Sequence, residues 1–209
     1  MRFKTMNSTF TIKVICAILF ILFSFCYLYY YQADLMAMAQ HVLSEGKTCY
    51  NRLIGAVLIT VVLWGVQLCL QSQVLIPKRF YAATYFPSLL VLTILTDISP
   101  DIDKGFSLGS WLWAFPCLLL LYGGVIWLLN RLYKIEGKTR QSNFFGSIWP
   151  NFSLLFIMFM LTCTFSNHNE VFHYRMKIEQ KLVEGDLKTA AEVGKLSMHT
   201  DSSLTMLRI

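Results

Sequence analysis

The sequence predicts an all-α membrane protein: five transmembrane helices followed by a short tetratricopeptide-like helical segment. Three observations carry this. Hydrophobic residues make up 56% of the 209-residue chain and charged residues 14%, where a soluble domain has roughly 45–50% and about 25%. The apolar residues fall into five runs of 18–21 residues, each enough to cross about 30 Å of hydrocarbon at a rise of about 1.5 Å per residue. Beyond residue 166 the chain turns polar, and its apolar residues recur at helical spacing. The net charge of +6 is spread between the apolar runs. That is the pattern of a membrane surface, and it makes nucleic acid an unlikely partner class on charge grounds alone.

The first run, 14–31, follows the basic residues Arg2, Lys4 and Lys13. No small-x-small cleavage site ends it, so it reads as an uncleaved signal anchor. Tyr27, Tyr29, Tyr30 and Tyr31 suit the headgroup level. The remaining spans are expected at 53–70, 80–98, 109–129 and 148–166. The third carries Pro87 among Thr84, Ser88, Thr93 and Thr96, so a kink and a freed carbonyl are expected there. Pro116 predicts a kink in the fourth, where Gly123 and Gly124 permit a close neighbour. Gln67 and Gln71 lie four apart in the second span and predict hydrogen bonds between helices.

Orientation follows from Lys and Arg. The amino-terminal tail and the second and fourth connections hold nine, and the first and third hold three (Lys47, Arg52 and Lys104). The excess belongs in the cytoplasm. The amino terminus is therefore expected inside and the carboxy terminus in the periplasm, although Arg175, Lys177 and Lys181 narrow the margin to nine against six.

Residues 1–166 thus form the transmembrane domain and 167–209 an extracytoplasmic helical hairpin. In the hairpin, Asn167 and Glu170 have capping-box spacing. Gly185 and Asp186 can close one helix and cap the next, which is expected over 187–198 with Ala190, Ala191 and Gly194 as a small-residue seam. Asp201 reads as the cap of a third helix. The pair resembles one tetratricopeptide-type unit, without the usual Trp, Tyr and Pro positions. Such a unit needs about three copies to be stable, so the chain is expected to be the front end of a longer helical-repeat protein.

The span interiors hold no ionisable group, which argues against active transport. The candidate site residues are the outer-side groups Asp34, His41, Asp97, Asp101 and Asp103. Asp34, His41 and Glu45 follow one another at steps of seven and four, close to one helical face. Together with the aspartates of the third connection they offer oxygen ligands of the kind divalent cations take. Acidic residues also simply favour outer loops, and Asp34 suits a helix cap. His168 and His173 are off metal-ligand spacing, and none of the six cysteines forms a C-x-x-C pair. No cofactor or metal is expected.

The stretches Tyr30-Tyr31-Gln32-Ala33-Asp34-Leu35, Ala39-Gln40-His41-Val42-Leu43-Ser44, Tyr85-Phe86-Pro87-Ser88 and Leu95-Thr96-Asp97-Ile98 resemble an uncharacterised family of bacterial multi-spanning membrane proteins. Its members are similar over nearly the full chain and continue into a longer helical-repeat region. The resemblance implies a bacterial inner-membrane protein and no particular activity. The expected function is a membrane anchor whose carboxy-terminal helices bind another protein or a peptide. The alternative is a glycosyltransferase-like membrane enzyme that acts on a lipid-linked substrate at the outer leaflet, with Asp34 as base.

Overall fold

The computed structural model describes residues 2–74, 76–98, 109–135, 144–167, 169–198 and 201–209, which are helix and turn with no strand. α1 (Arg2–Cys26) runs into a π turn, Tyr27–Tyr31, and then α2 (Ala33–Leu43). α3 (Arg52–Gln73) is capped by Asn51, whose Oδ1 accepts from the amides of Leu53 at 3.0 Å and Ile54 at 3.2 Å. This satisfies two of the amides that a helix start leaves open. A 3-10 segment (Lys78–Tyr85) leads into α4 (Phe86–Thr96), and α5 (Trp111–Ile135) and α6 (Phe144–Phe165) follow. α7 (Glu170–Val183), α8 (Leu187–Glu192) and α9 (Ser202–Arg208) end the chain.

Four stretches are long and apolar enough to cross a membrane: Phe10–Tyr31, Arg52–Gln73, Trp111–Leu132 and Gly146–Phe165. They mark the chain as a membrane protein. The segment expected as a third span takes another form. Pro87 has no amide to donate to Ala83, so the amide of Phe86 takes that carbonyl with 3-10 spacing, and Pro87 sits in the first turn of α4. Proline is well tolerated there. The expected mid-helix kink is thus a 3-10-to-α junction, and the carbonyl is satisfied within the segment.

Contacts at the two ends fix the run of the segments. At one end Lys13 of α1 lies 5.3 Å over the ring of Tyr81, and Asn151 of α6 bonds the carbonyl of Lys78 at 2.9 Å. Gln67, near the end of α3, bonds Thr84 at 3.2 Å. At the other end Asn167, after α6, takes the carbonyl of Thr96 at the end of α4, and Arg52 at the start of α3 meets Asp34 after α1. Between the ends, Phe20, Leu28, Leu63, Leu92 and Leu155 are 0–1% exposed and form the core. Phe23 stacks on Phe159 with centroids 3.9 Å apart, and Phe20 meets Tyr85 at 4.9 Å. α5 stands apart: 6% of its span is buried, against 33% for the first span.

The carboxy-terminal helices differ from expectation at two points. Asn169, not Asn167, caps α7, because Asn167 is committed to the bundle. α8 stops at Glu192 rather than 198, where Val193 turns extended and Gly194 adopts φ +63°. Tyr174 fills the space beside Gly194. Ala191 is exposed, and the small core is Ile178, Ala190 and Leu204. Gly185 at φ +77°, the Asp186 cap on Thr189 and the Asp201 cap on Ser202 lie where the sequence places them.

Candidate functional site

The densest buried polar cluster joins the bundle to α7. The π turn creates it. Residues five apart on an α-helix lie about 140° apart around the axis, at about 100° per residue. The wider turn, closed by the Gln32 amide on the Tyr27 carbonyl at 3.0 Å, brings both side chains to one face. Gln32 Nε2 then donates to the Tyr27 hydroxyl at 2.9 Å and to the Asn167 carbonyl at 3.2 Å, and Tyr27 bonds Ser166. Asn167 Nδ2 donates to the Ile98 carbonyl at 2.6 Å, and its own amide donates to the Thr96 carbonyl at 3.2 Å. His173 of α7 closes the cluster, its ring 5.3 Å from Tyr31 and its Nε2 3.4 Å from the Asn167 carbonyl. The cluster therefore ties together the ends of α1, α4 and α6 and the start of α7. Sequence reading placed Tyr27 at the headgroups with its three neighbours. Tyr30 is 77% exposed, but Tyr27 is 7% exposed and belongs to the joint.

The candidate site residues lie at this same end without converging. Asp34 is held by Arg52 at 2.5 Å, its side chain 16% exposed. Asp97 accepts from Trp111 Nε1 at 2.6 Å. His41 packs over Gly46, where the chain turns back at φ +75°. α2 has ended by then, so Glu45 leaves the helical face it was expected to share and pairs with Lys47 at 2.7 Å. Asp101, Asp103 and His168 lie outside the described residues. Among the described residues no hydrogen bond or ion pair joins Asp34, His41 and Asp97 to one another, and no group of three or more His, Cys, Asp or Glu could hold a metal ion. The six cysteines are free.

Tyr50 completes the α2–α3 turn. Its ring lies where a Cβ on Gly55 would come within 2.4 Å of the hydroxyl, so only glycine admits it. Burial pushes the Tyr50 phenol above its ordinary pKa, against the opposing charge of Arg52.

The opposite end has its own network. Gln67 Nε2 donates to the hydroxyls of Tyr81 and Thr84, each at 3.2 Å, and the Tyr81 hydroxyl donates to Gln71 Oε1 at 2.6 Å. The two glutamines thus make the interhelical bonds their spacing predicts. A cavity of about 260 Å³ opens beside them, bordered by Lys13, Lys78 and Gln71. Asn151, 1% exposed, accepts from the Ala82 amide at 2.6 Å and donates to the carbonyls of Lys78 and Ser147. Sequence reading missed it, because one Asn in an apolar run has no spacing partner to reveal it.

Chemically, these groups clamp rather than react. The described acids of the site are engaged by Arg52 and Trp111, and the buried amides and hydroxyls bind helix to helix. No family model, curated protein or solved structure matches this chain.

Proposed function

We propose that the protein is a five-span anchor of the bacterial inner membrane that presents α7–α9 in the periplasm as a tetratricopeptide-like module for another protein or a peptide. Two features support five crossings. The five apolar segments alternate in direction through the bundle. The 3-10 segment and α4, of eight and eleven residues, together reach about 32 Å at rises of about 2.0 and 1.5 Å, against about 30 Å of hydrocarbon. The excess of Lys and Arg in the tail and the even connections supports the orientation.

One observation carries the interaction role. The joint at Asn167 holds α7 firmly to the bundle, yet Leu196, Met206 and Ile209 are 100%, 78% and 99% exposed. A rigidly held apolar surface outside the membrane is a docking feature, and a single helical-repeat unit leaves such a face for its neighbour. A photo-reactive benzoylphenylalanine at Leu196, activated in intact membranes, should give one discrete adduct that Ile209→Asp abolishes. No adduct, or a smear indifferent to Ile209→Asp, would end this reading. Topology is tested with reporter fusions. Those after Pro77 and Lys104 should report opposite compartments, as should those after Lys138 and Asp201. A shared compartment for the first pair leaves four crossings.

The second reading is a membrane enzyme acting on a lipid-linked substrate at the outer leaflet. Its supporting observation is that Asp34 and Asp97 sit at the same end of the bundle. Asp34→Asn should then abolish the phenotype of the protein while its membrane abundance holds. An active variant would leave Asp34 its structural role alone.

A further inference from the structure

α5 leaves a long groove between itself, α4 and α6, with a volume of about 550 Å³. Leu89, Leu90, Ala114, Leu118, Met158 and Phe165 line it. Thr93 and Thr162 also line it, but their hydroxyls already donate to the carbonyls of Leu89 and Met158. The groove wall therefore offers no unspent polar side chain from these helices, and a polar occupant would lose its hydration without return. Only hydrocarbon enters such a space favourably. The groove is also continuous with the surface that meets lipid: Leu120 and Leu121 on α5 are 77% and 63% exposed, and Phe156 and Leu161 on α6 are 54% and 45% exposed.

One end of the groove is marked by polar groups. Ser110 and Trp111 line it there, and the Trp111 indole donates to Asp97 Oδ2 at 2.6 Å. An indole bound to a carboxylate at the end of an apolar span suits headgroup depth. A carboxylate accepts about four hydrogen bonds, so Asp97, itself exposed, can take a cation in addition to the indole.

We propose that this groove is a lipid site: it holds one acyl chain of a phospholipid with a primary ammonium head group, and that ammonium pairs with Asp97. A phosphoethanolamine head fits, because it brings a compact cation with three donors. A phosphoglycerol head brings only negative charge towards Asp97 and is disfavoured. The loose packing of α5 lets the chain enter sideways from the bilayer.

The test uses the full chain in nanodiscs doped with phospholipids that carry a diazirine in the acyl chain and an ethanolamine, choline or glycerol head. After photolysis the adducts are mapped by peptide mass. Labelling should concentrate on the lining residues of α4, α5 and α6, and the ethanolamine lipid should label them several-fold more than the glycerol lipid. Asp97→Asn should bring that ratio to unity while groove labelling persists. Ala114→Trp should fill the groove and suppress labelling there, with labelling along the exposed Val61–Val62 face of α3 unchanged as the control for an intact bundle. Labelling spread evenly over the lipid-facing surface would overturn the site. A head-group ratio that Asp97→Asn does not change would overturn the role of the carboxylate.

Discussion

Asn151 of α6 accepts the backbone amide of Ala82 at 2.6 Å, sixty-nine residues away in sequence. The bond replaces one that the 3-10 backbone leaves open, and it does so where only 1% of Asn151 is exposed. Removing the side chain strands the Ala82 amide and the carbonyls of Lys78 and Ser147. Each stranded group costs about 1–3 kcal/mol. Asn151→Leu should therefore be among the most destabilising single changes in the bundle. The expected outcome is a marked fall in the thermal midpoint of the detergent-solubilised protein. A midpoint equal to that of the parent would mean that the 3-10 segment does not depend on α6.

The glycine at 194 makes a sharper prediction than a small-residue seam would. A Cβ there would lie 2.8 Å from Tyr174 Cγ and 3.0 Å from Arg208 Nη2, on backbone at φ +63°. Overpacking costs about 1–3 kcal/mol, and the left-handed backbone adds about 1–2 kcal/mol for a residue with a Cβ. Gly194→Leu should open α7–α9 to limited proteolysis while the apolar spans stay inserted. Gly185→Ala is the control: φ is +77°, but nothing lies within 4 Å of its Cβ. It should cost only the backbone part, and equal proteolysis of the two variants would show that Tyr174 does not pack as described.

Acid should loosen the same helices. The hydrogen bond from Lys181, at 2.5 Å, holds the Glu184 carboxyl below its usual pKa. Bonds from Thr189 lower Asp186, and bonds from Ser203 and Ser202 lower Asp201. Groups with lowered folded-state values stabilise the fold above their unfolded values, about 3.9 for Asp and 4.3 for Glu. That contribution drains away as pH falls through the folded values. Lys181 is raised by the same pair, so its contribution is lost in alkali. Proteolysis of the tail by an acid-active protease should rise as pH drops from 5 towards about 3. All these groups are at the surface, so the effect should weaken in high salt.

Three hydroxyls in the spans behave unlike the rest. Ser72, Thr93, Thr96, Thr162 and Thr164 bond carbonyls three or four residues back. Ser24, Thr60 and Ser88 are 0–5% exposed and find no partner in the protein. An unpaired buried hydroxyl is a net cost of about 1–3 kcal/mol. Ser24→Ala and Ser88→Ala should therefore raise the thermal midpoint. A fall in both would mean that these hydroxyls are satisfied through ordered water and hold the helices together.

Much of the fold was legible because hydrophobic length is a property of single runs. Spans one, two, four and five appear within a few residues of their expected ends, and the Asp186 and Asp201 caps are visible as single polar residues before helical runs. What the sequence hid depends on geometry between segments. Nothing in the run 80–98 distinguishes a straight helix from a 3-10-to-α junction except the cost of one missing proline amide. Asn167 has the spacing of a cap, yet Ile98 and Thr96 claim it, and the cap passes to Asn169. Asp34, His41 and Glu45 share a face only if α2 continues past Leu43. The left-handed turn at Glu45 and Gly46 ends that arrangement.

The π turn at Tyr27–Tyr31 has a consequence for how this chain tolerates change. It holds one residue more than an α-helical turn would, and that surplus residue sets the rotational register of everything after it. Deleting a single residue from the tyrosine run would restore an ordinary helix and turn α2 by about 100°. The apolar content, the length of the span and the charge would all be nearly unchanged. Even so, Gln32 would swing away from Asn167, and Asp34 away from Arg52. Between α1 and α2 the chain can thus exchange side chains far more freely than it can gain or lose a residue.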